Sequence, residues 1–209
     1  MIMISSELKI NNKGTGAGGA NTTLNGSLFE ERTSIENKLL ENKFIKKEID
    51  TKTKNKKGYY FEYIDNDYKI IYLTQSGFVS YFTKEFNIDS KYLYRRPDEA
   101  FLILHNNQYY LKILEKKNQN CDGSVEDKLK TGLFNKKEYD EMLRPLCDNY
   151  KFNVSYAFCV SKFLQNKFES NQFKYNNILK IMNDDNIKLF YGEDENYLEV
   201  LFKWINEIN

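Results

Sequence analysis

The chain has 209 residues, an ordinary hydrophobic share and a formal net charge of +1, which suits one substantial core and offers no second block of composition for another domain. Aromatics are abundant, with 16 Tyr and 15 Phe, whereas a single histidine (His105) and three cysteines (Cys121, Cys147, Cys159) without metal-ligand spacing argue against a zinc site and against histidine-based catalysis. No run of about 18 apolar residues occurs and the first residues lack a signal-peptide design, so a cytoplasmic protein with no membrane partner is expected.

In chain order, residues 1–23 read as a flexible, Gly-rich arm before a single domain over 24–209. The arm contains Gly14-Thr15-Gly16, but a short polar stretch precedes it and no Gly-Lys-Ser/Thr follows, so no nucleotide cofactor is expected. A helix is expected over 28–42, with Leu28, Ile35 and Leu39 as its core stripe and Ser27 to Glu30 as a capping box at its start. Lys43, Lys46, Lys47, Lys52, Lys54, Lys56 and Lys57 then form a basic run that suits either phosphate tracking or a solvated loop. Strands are expected at 68–74 and 78–83, followed by a hairpin. After it come a helix over 124–144, with Ser124 as N-cap, and a β-prone, nearly uncharged strand over 153–161. A helix over 170–183, a strand over 187–191 and an amphipathic helix over 195–207 complete the chain, the last with apolar residues at 197, 198, 201, 204 and 205. The long helix between two strands suggests a crossover connection, and the class is α/β.

The hairpin carries the chemistry. Residues 100–104 and 109–114 are β-prone and flank His105-Asn106-Asn107-Gln108, and asparagine tolerates the positive φ that a two-residue turn requires. With Asn106-Asn107 as the loop, His105 opposes Gln108, and the same register sets Asp98 opposite Glu115. Opposed side chains share a face with Cβ atoms about 4.5–5.5 Å apart, and a period of two adds Lys117 to that face. Leu111 and Ile113 precede Glu115 and Lys117 there, while Lys112 and Lys116 lie on the other face. Two carboxylates that close repel unless a cation lies between them. Mg²⁺ suits hard carboxylate oxygens and needs only one or two from the protein, and Lys117 would serve the attacking water or the phosphate charge. The same residues also fit a solvated charged strand end.

Pro97-Asp98 with Glu115-Lys116-Lys117 resembles the signature of the PD-(D/E)XK nuclease superfamily, a metal-binding Asp and a Glu-x-Lys on neighbouring strands. Gly18-Gly19-Ala20-Asn21-Thr22, Asn25-Gly26, Phe29-Glu30, Arg95-Arg96, Gln119, Gly123-Ser124 and Lys128 extend the likeness to small type II restriction endonucleases. The resemblance implies a restriction endonuclease-like core, a central mixed sheet flanked by helices. It implies a homodimer that hydrolyses double-stranded DNA at a short specific sequence with Mg²⁺ held by Asp98 and Glu115. Lys117 would be catalytic, and Glu30 on the first helix a third acid. Asn21, Thr22, Arg95, Arg96, Gln119, Ser124 and Lys128 are candidates for DNA contact. A structure-specific nuclease of the junction-resolvase or repair kind, and a non-catalytic DNA-binding protein with a vestigial site, are the alternatives.

Overall fold

A computed structural model describes residues 20–50, 57–65, 68–120 and 125–208. Its centre is a seven-stranded sheet whose strands follow chain order: β1 (Ile45–Asp50), β2 (Lys57–Ile64), β3 (Tyr68–Thr74), β4 (Glu99–His105), β5 (Gln108–Lys117), β6 (Phe152–Val160) and β7 (Ile187–Tyr191). The pairs from β1 through β5 are antiparallel, and β5–β6 and β6–β7 are parallel. The sheet is therefore mixed and open, with helices on both faces. Among the described residues no helix is long and apolar enough to cross a membrane.

The expected hairpin forms with the expected register. His105 pairs with Gln108 and Glu99 with Leu114, and the turn residues Asn106 and Asn107 have φ of 50° and 61°, the left-handed pair that a type I′ turn demands. Strands 68–74 and 187–191 form as expected, and the central strand runs from Phe152. One face of the sheet carries Ile71, Leu73, Leu102, Leu111, Ile113, Tyr156 and Phe158. It is covered by α3 (Gln75–Glu85), α5 (Gly132–Leu143), α6 (Lys162–Glu169) and α7 (Phe173–Asp184). The other carries Ile70, Tyr72, Phe101, Ile103, Leu114 and Ala157 under α1 (Ala20–Arg32), α2 (Glu36–Glu41) and α8 (Tyr197–Asn206). Burial on both faces explains why the central strands read as nearly continuous apolar runs.

Several sequence expectations are corrected. The span 78–83 is not a strand but lies within α3. Thr74 caps α3 by accepting a hydrogen bond from the Gly77 N–H at 3.3 Å, and Phe78, Tyr81 and Phe82 share its buried side. The helix expected over 28–42 is two helices. Thr33 breaks it: its hydroxyl donates to Phe29 O at 2.7 Å and its carbonyl accepts from the Tyr197 hydroxyl at 3.3 Å, a tertiary bond in place of a helical one. Because α1 begins at Ala20, Ser27 lies inside a helix and is no N-cap, and Leu28 is exposed while Phe29 packs inward. The span 124–144 is likewise split into α4 (Val125–Leu129) and α5, with Gly132 at the break. A Cβ on Gly132 would lie 3.1 Å from Phe158 and 3.2 Å from Ile187, so its small size sets how closely α5 approaches the sheet. The helix over 170–183 is preceded by α6, with Asn171 at φ 56° between them. β1 and β2 were not foreseen: β1 is an edge strand whose only buried residue is Ile49, and its lysines mask the β pattern. The α8 stripe packs on the core of its own chain, through Tyr197, Leu201, Trp204 and Ile205.

Candidate active site

The site is built by the register of β4 against β5. Asp98 precedes β4 and Glu115 and Lys117 end β5, so the three lie at one rim of the sheet, above the apolar row that contains Leu111 and Ile113. Lys117 Nζ donates to Glu115 Oε2 at 2.8 Å and stands 3.9 Å from Asp98 Oδ2. Asp98 Oδ2 in turn accepts from the backbone N–H of Lys116 at 2.7 Å, which extends the β4–β5 ladder through a side chain. The ammonium thus lies against both carboxylates, as expected where two acids converge. The Glu115 side chain is 11% exposed, whereas those of Asp98 and Lys117 each keep 22%. One wall of the site is buried and the other faces solvent.

Burial pushes the Glu115 carboxyl above the usual carboxylate range. The Asp98 charge adds to that rise, and the Lys117 ammonium opposes it. Around Glu115, α5 supplies Tyr139, whose hydroxyl lies 3.4 Å from Glu115 Oε1. Burial also raises the Tyr139 and Tyr156 hydroxyls well above the tyrosine range, so both stay protonated donors. Asn135 holds Tyr156 by donating to its oxygen at 3.1 Å. Arg95 pairs with Glu138, lies over the Tyr139 ring at 5.8 Å and adds positive potential at Glu115. Sequence reasoning missed Asn135, Glu138, Tyr139 and Tyr156, because a helix and a strand far from the hairpin in sequence deliver them.

The other expected residues are distributed unevenly. Arg95 lies over the Tyr139 ring and acts on Glu115 through its charge, and Arg96 is exposed. Glu30 has an exposed side chain, and what reaches the strand is its backbone carbonyl, which accepts from Lys116 Nζ at 3.2 Å. Asn21 and Thr22 stand in the first turn of α1, and their side chains lie outside the described residues. Gln119 is two residues beyond β5 and buried, its backbone N–H and carbonyl both bonded to the Ser161 hydroxyl, at 3.2 and 2.7 Å. Ser124 lies outside the described residues, and Lys128 is exposed on the five-residue α4. In the basic run, Lys47 pairs with Glu62, and Lys46 lies 3.7 Å from the Tyr59 ring centroid and 3.8 Å from Glu36, so both have intramolecular partners. Lys52, Lys54 and Lys56 lie outside the described residues.

Among the described residues no group of three or more Asp, Glu, His or Cys side chains converges. Among the described residues, the carboxylate donors at the rim are Asp98 and Glu115. Two carboxylates with an open, solvent-facing side fit a Mg²⁺ ion that keeps several waters, and do not fit a cation needing a complete protein cage. Comparison of the chain with protein-family models, with curated proteins and with solved structures finds no match.

Proposed function

We propose that the protein is a Mg²⁺-dependent endonuclease that cuts phosphodiester bonds in double-stranded DNA at a short specific sequence, with a core of the PD-(D/E)XK kind. The observation that supports this reading best is the convergence of Asp98, Glu115 and Lys117 at the rim of an apolar sheet face, in the register of the hairpin. The alternation of antiparallel β3, β4 and β5 with a helical crossover to parallel β6 is compatible with that core.

In the proposed mechanism Asp98 and Glu115 would hold the ion. When bound, Mg²⁺ supplies Lewis-acid polarisation of a phosphate oxygen and lowers the pKa of a coordinated water. The chain supplies the rest. Lys117, with one of its three N–H donors on Glu115, offers the others to the attacking water or to charge that develops on the phosphate. Tyr139, buried and protonated, keeps Glu115 from rotating away by donating to its second oxygen. Arg95 is fixed by Glu138 and Tyr139 at the solvent side, where a DNA phosphate would arrive. The partial exposure of Asp98 and Lys117 suits a polymer that lies across the rim rather than a small molecule enclosed by it.

The test is incubation with long unmethylated double-stranded DNA, with Mg²⁺ or with chelator, beside Glu115→Ala. Discrete fragments that need both Mg²⁺ and Glu115 support sequence-specific cleavage. Cleavage of branched but not linear substrates transfers the same site to a structure-specific nuclease. A folded protein that binds DNA and cuts neither overturns the enzymatic reading.

A further inference from the structure

Alternation along β4 and β5 places a second acid–lysine pair on the opposite side of the sheet from the first. Glu99 follows Asp98, and Lys116 lies between Glu115 and Lys117, so their side chains point to the α1 face. Lys116 Nζ donates to Glu99 Oε1 at 2.8 Å, with the two side chains 3% and 5% exposed. The Tyr72 hydroxyl donates to the same Glu99 oxygen at 3.1 Å, while Glu99 Oε2 is buried with no hydrogen-bond partner among the described residues. Lys116 Nζ also donates to the Glu30 carbonyl at 3.2 Å, one of the last carbonyls of α1, where a cation meets the negative end of the helix.

Stability does not call for this pair. The surrounding face is made of Phe29, Tyr72, Phe101, Leu114, Ala157 and Cys159, and a buried ion pair replaced by apolar residues of similar volume is often no less stable. What an apolar pair would not provide is a fixed direction. Glu99 and Lys116 are covalent neighbours of all three residues of the rim. The backbone N–H of Lys116 is itself the donor to Asp98 Oδ2, at 2.7 Å. One residue therefore joins Asp98 through its backbone, and Glu99 and the end of α1 through its side chain.

Building on the nuclease reading above, we propose that Glu99 and Lys116 are positioning residues, a clamp beneath the sheet that holds the Asp98 and Glu115 carboxylates at the spacing a divalent ion requires. Neither touches the reacting atoms. The clamp acts by fixing the β4 and β5 backbones at the rim and by anchoring α1 over them.

The test uses the full chain and the double variant Glu99→Leu/Lys116→Met, which removes both charges together, with Glu99→Gln as a milder second variant. Thermal unfolding reports folding, calorimetric titration with Mn²⁺ alone reports the carboxylate geometry, and kcat and KM on DNA report function. The expected result is a double variant that melts near the wild type and binds Mn²⁺ about 10- to 100-fold more weakly, the range for loss of groups that orient metal ligands. Its kcat falls while its KM for DNA is kept. A folded double variant with wild-type Mn²⁺ affinity and kcat overturns the clamp and leaves the nuclease reading intact. If the double variant does not fold, Glu99→Gln decides, and unchanged Mn²⁺ affinity in that folded variant overturns the clamp. Wild-type protein that neither binds Mn²⁺ nor cuts DNA removes the nuclease reading, and the clamp with it.

Discussion

Replacing Glu115 by glutamine separates a catalytic site from a structural ion pair, because the two make opposite demands on stability. In the native protein the Glu115 charge is attracted by Lys117 at 2.8 Å, about 6 kcal/mol at an effective dielectric constant of 20. It is repelled by Asp98, whose oxygen lies 3.9 Å from the same ammonium. Desolvation opposes the charge as well, by several kcal/mol. Burial and Asp98 outweigh Lys117, since the carboxyl sits above its usual range. For an acid raised on folding, the native state holds more protons than the unfolded one between the unfolded and folded pKa values. Stability is lost as pH rises through that window, and the full penalty is in force above the folded value. Glutamine keeps the shape and removes the charge, and Lys117 retains Asp98 and water. The variant is expected to melt within about 2–4 °C of the wild type, on the stable side, which corresponds to about 1 kcal/mol for a chain of this size. On the proposed nuclease reading, Mg²⁺-dependent cleavage should fall roughly 10²- to 10⁴-fold in the variant, equivalent to about 3–5 kcal/mol of lost transition-state stabilisation. Circular dichroism melts at pH 7 and single-turnover cleavage measure the two quantities. A loss of 3 kcal/mol or more in stability, the usual cost of breaking a buried structural pair, would refute the reasoning and reassign Glu115 and Lys117 to the scaffold.

Other outcomes follow from the same coordinates. Gly192→Ala should destabilise by about 1–3 kcal/mol in denaturant titration, because a Cβ there would lie 2.5 Å from Thr33 Cγ2 and 2.7 Å from Cys159 Sγ. An unchanged midpoint would mean that the β7 end and the α1–α2 junction separate more easily than their contacts suggest. Asn107→Ala should cost about 1–2 kcal/mol, the penalty of a left-handed residue without glycine or asparagine, while Asn107→Gly should be neutral or stabilising. Equal melts for the two would argue against the type I′ turn. Above pH 10 stability should fall by about 1.4 kcal/mol per pH unit for each buried tyrosine. Unfolded tyrosines then lose protons that native Tyr72, Tyr139, Tyr156 and Tyr197, all raised by burial, retain. Between pH 8 and 10 the sign should reverse at one residue. Burial lowers Lys112 to about 8, so the unfolded chain holds the extra proton and stability rises with pH, a rise that Lys112→Met should abolish in pH-dependent melts.

The sequence by itself determined the hairpin, its register and the meeting of Asp98, Glu115 and Lys117 at one end of it. Two asparagines able to adopt positive φ fixed the turn, and a period of two then carried Asp98 opposite Glu115 with Lys117 beside it, since every step is local and counted along the backbone. It determined the apolar central strands and the α8 stripe for the same reason. It did not determine where helices break, because Thr33 leaves the helix for a bond to Tyr197 that lies 164 residues away in sequence and Gly132 stands where α5 must approach Phe158 and Ile187. Nor did it determine the state of Phe78, Tyr81 and Phe82, whose spacing fits one face of a helix as well as a short apolar strand. Only the tertiary structure decided that Lys112 and Lys116, four residues apart on one face of β5, are buried. Their ammonium groups meet carbonyls and a carboxylate from α8, α1 and β4. Burying a charge depends on its partners, and these come from distant parts of the chain whose approach no local pattern records.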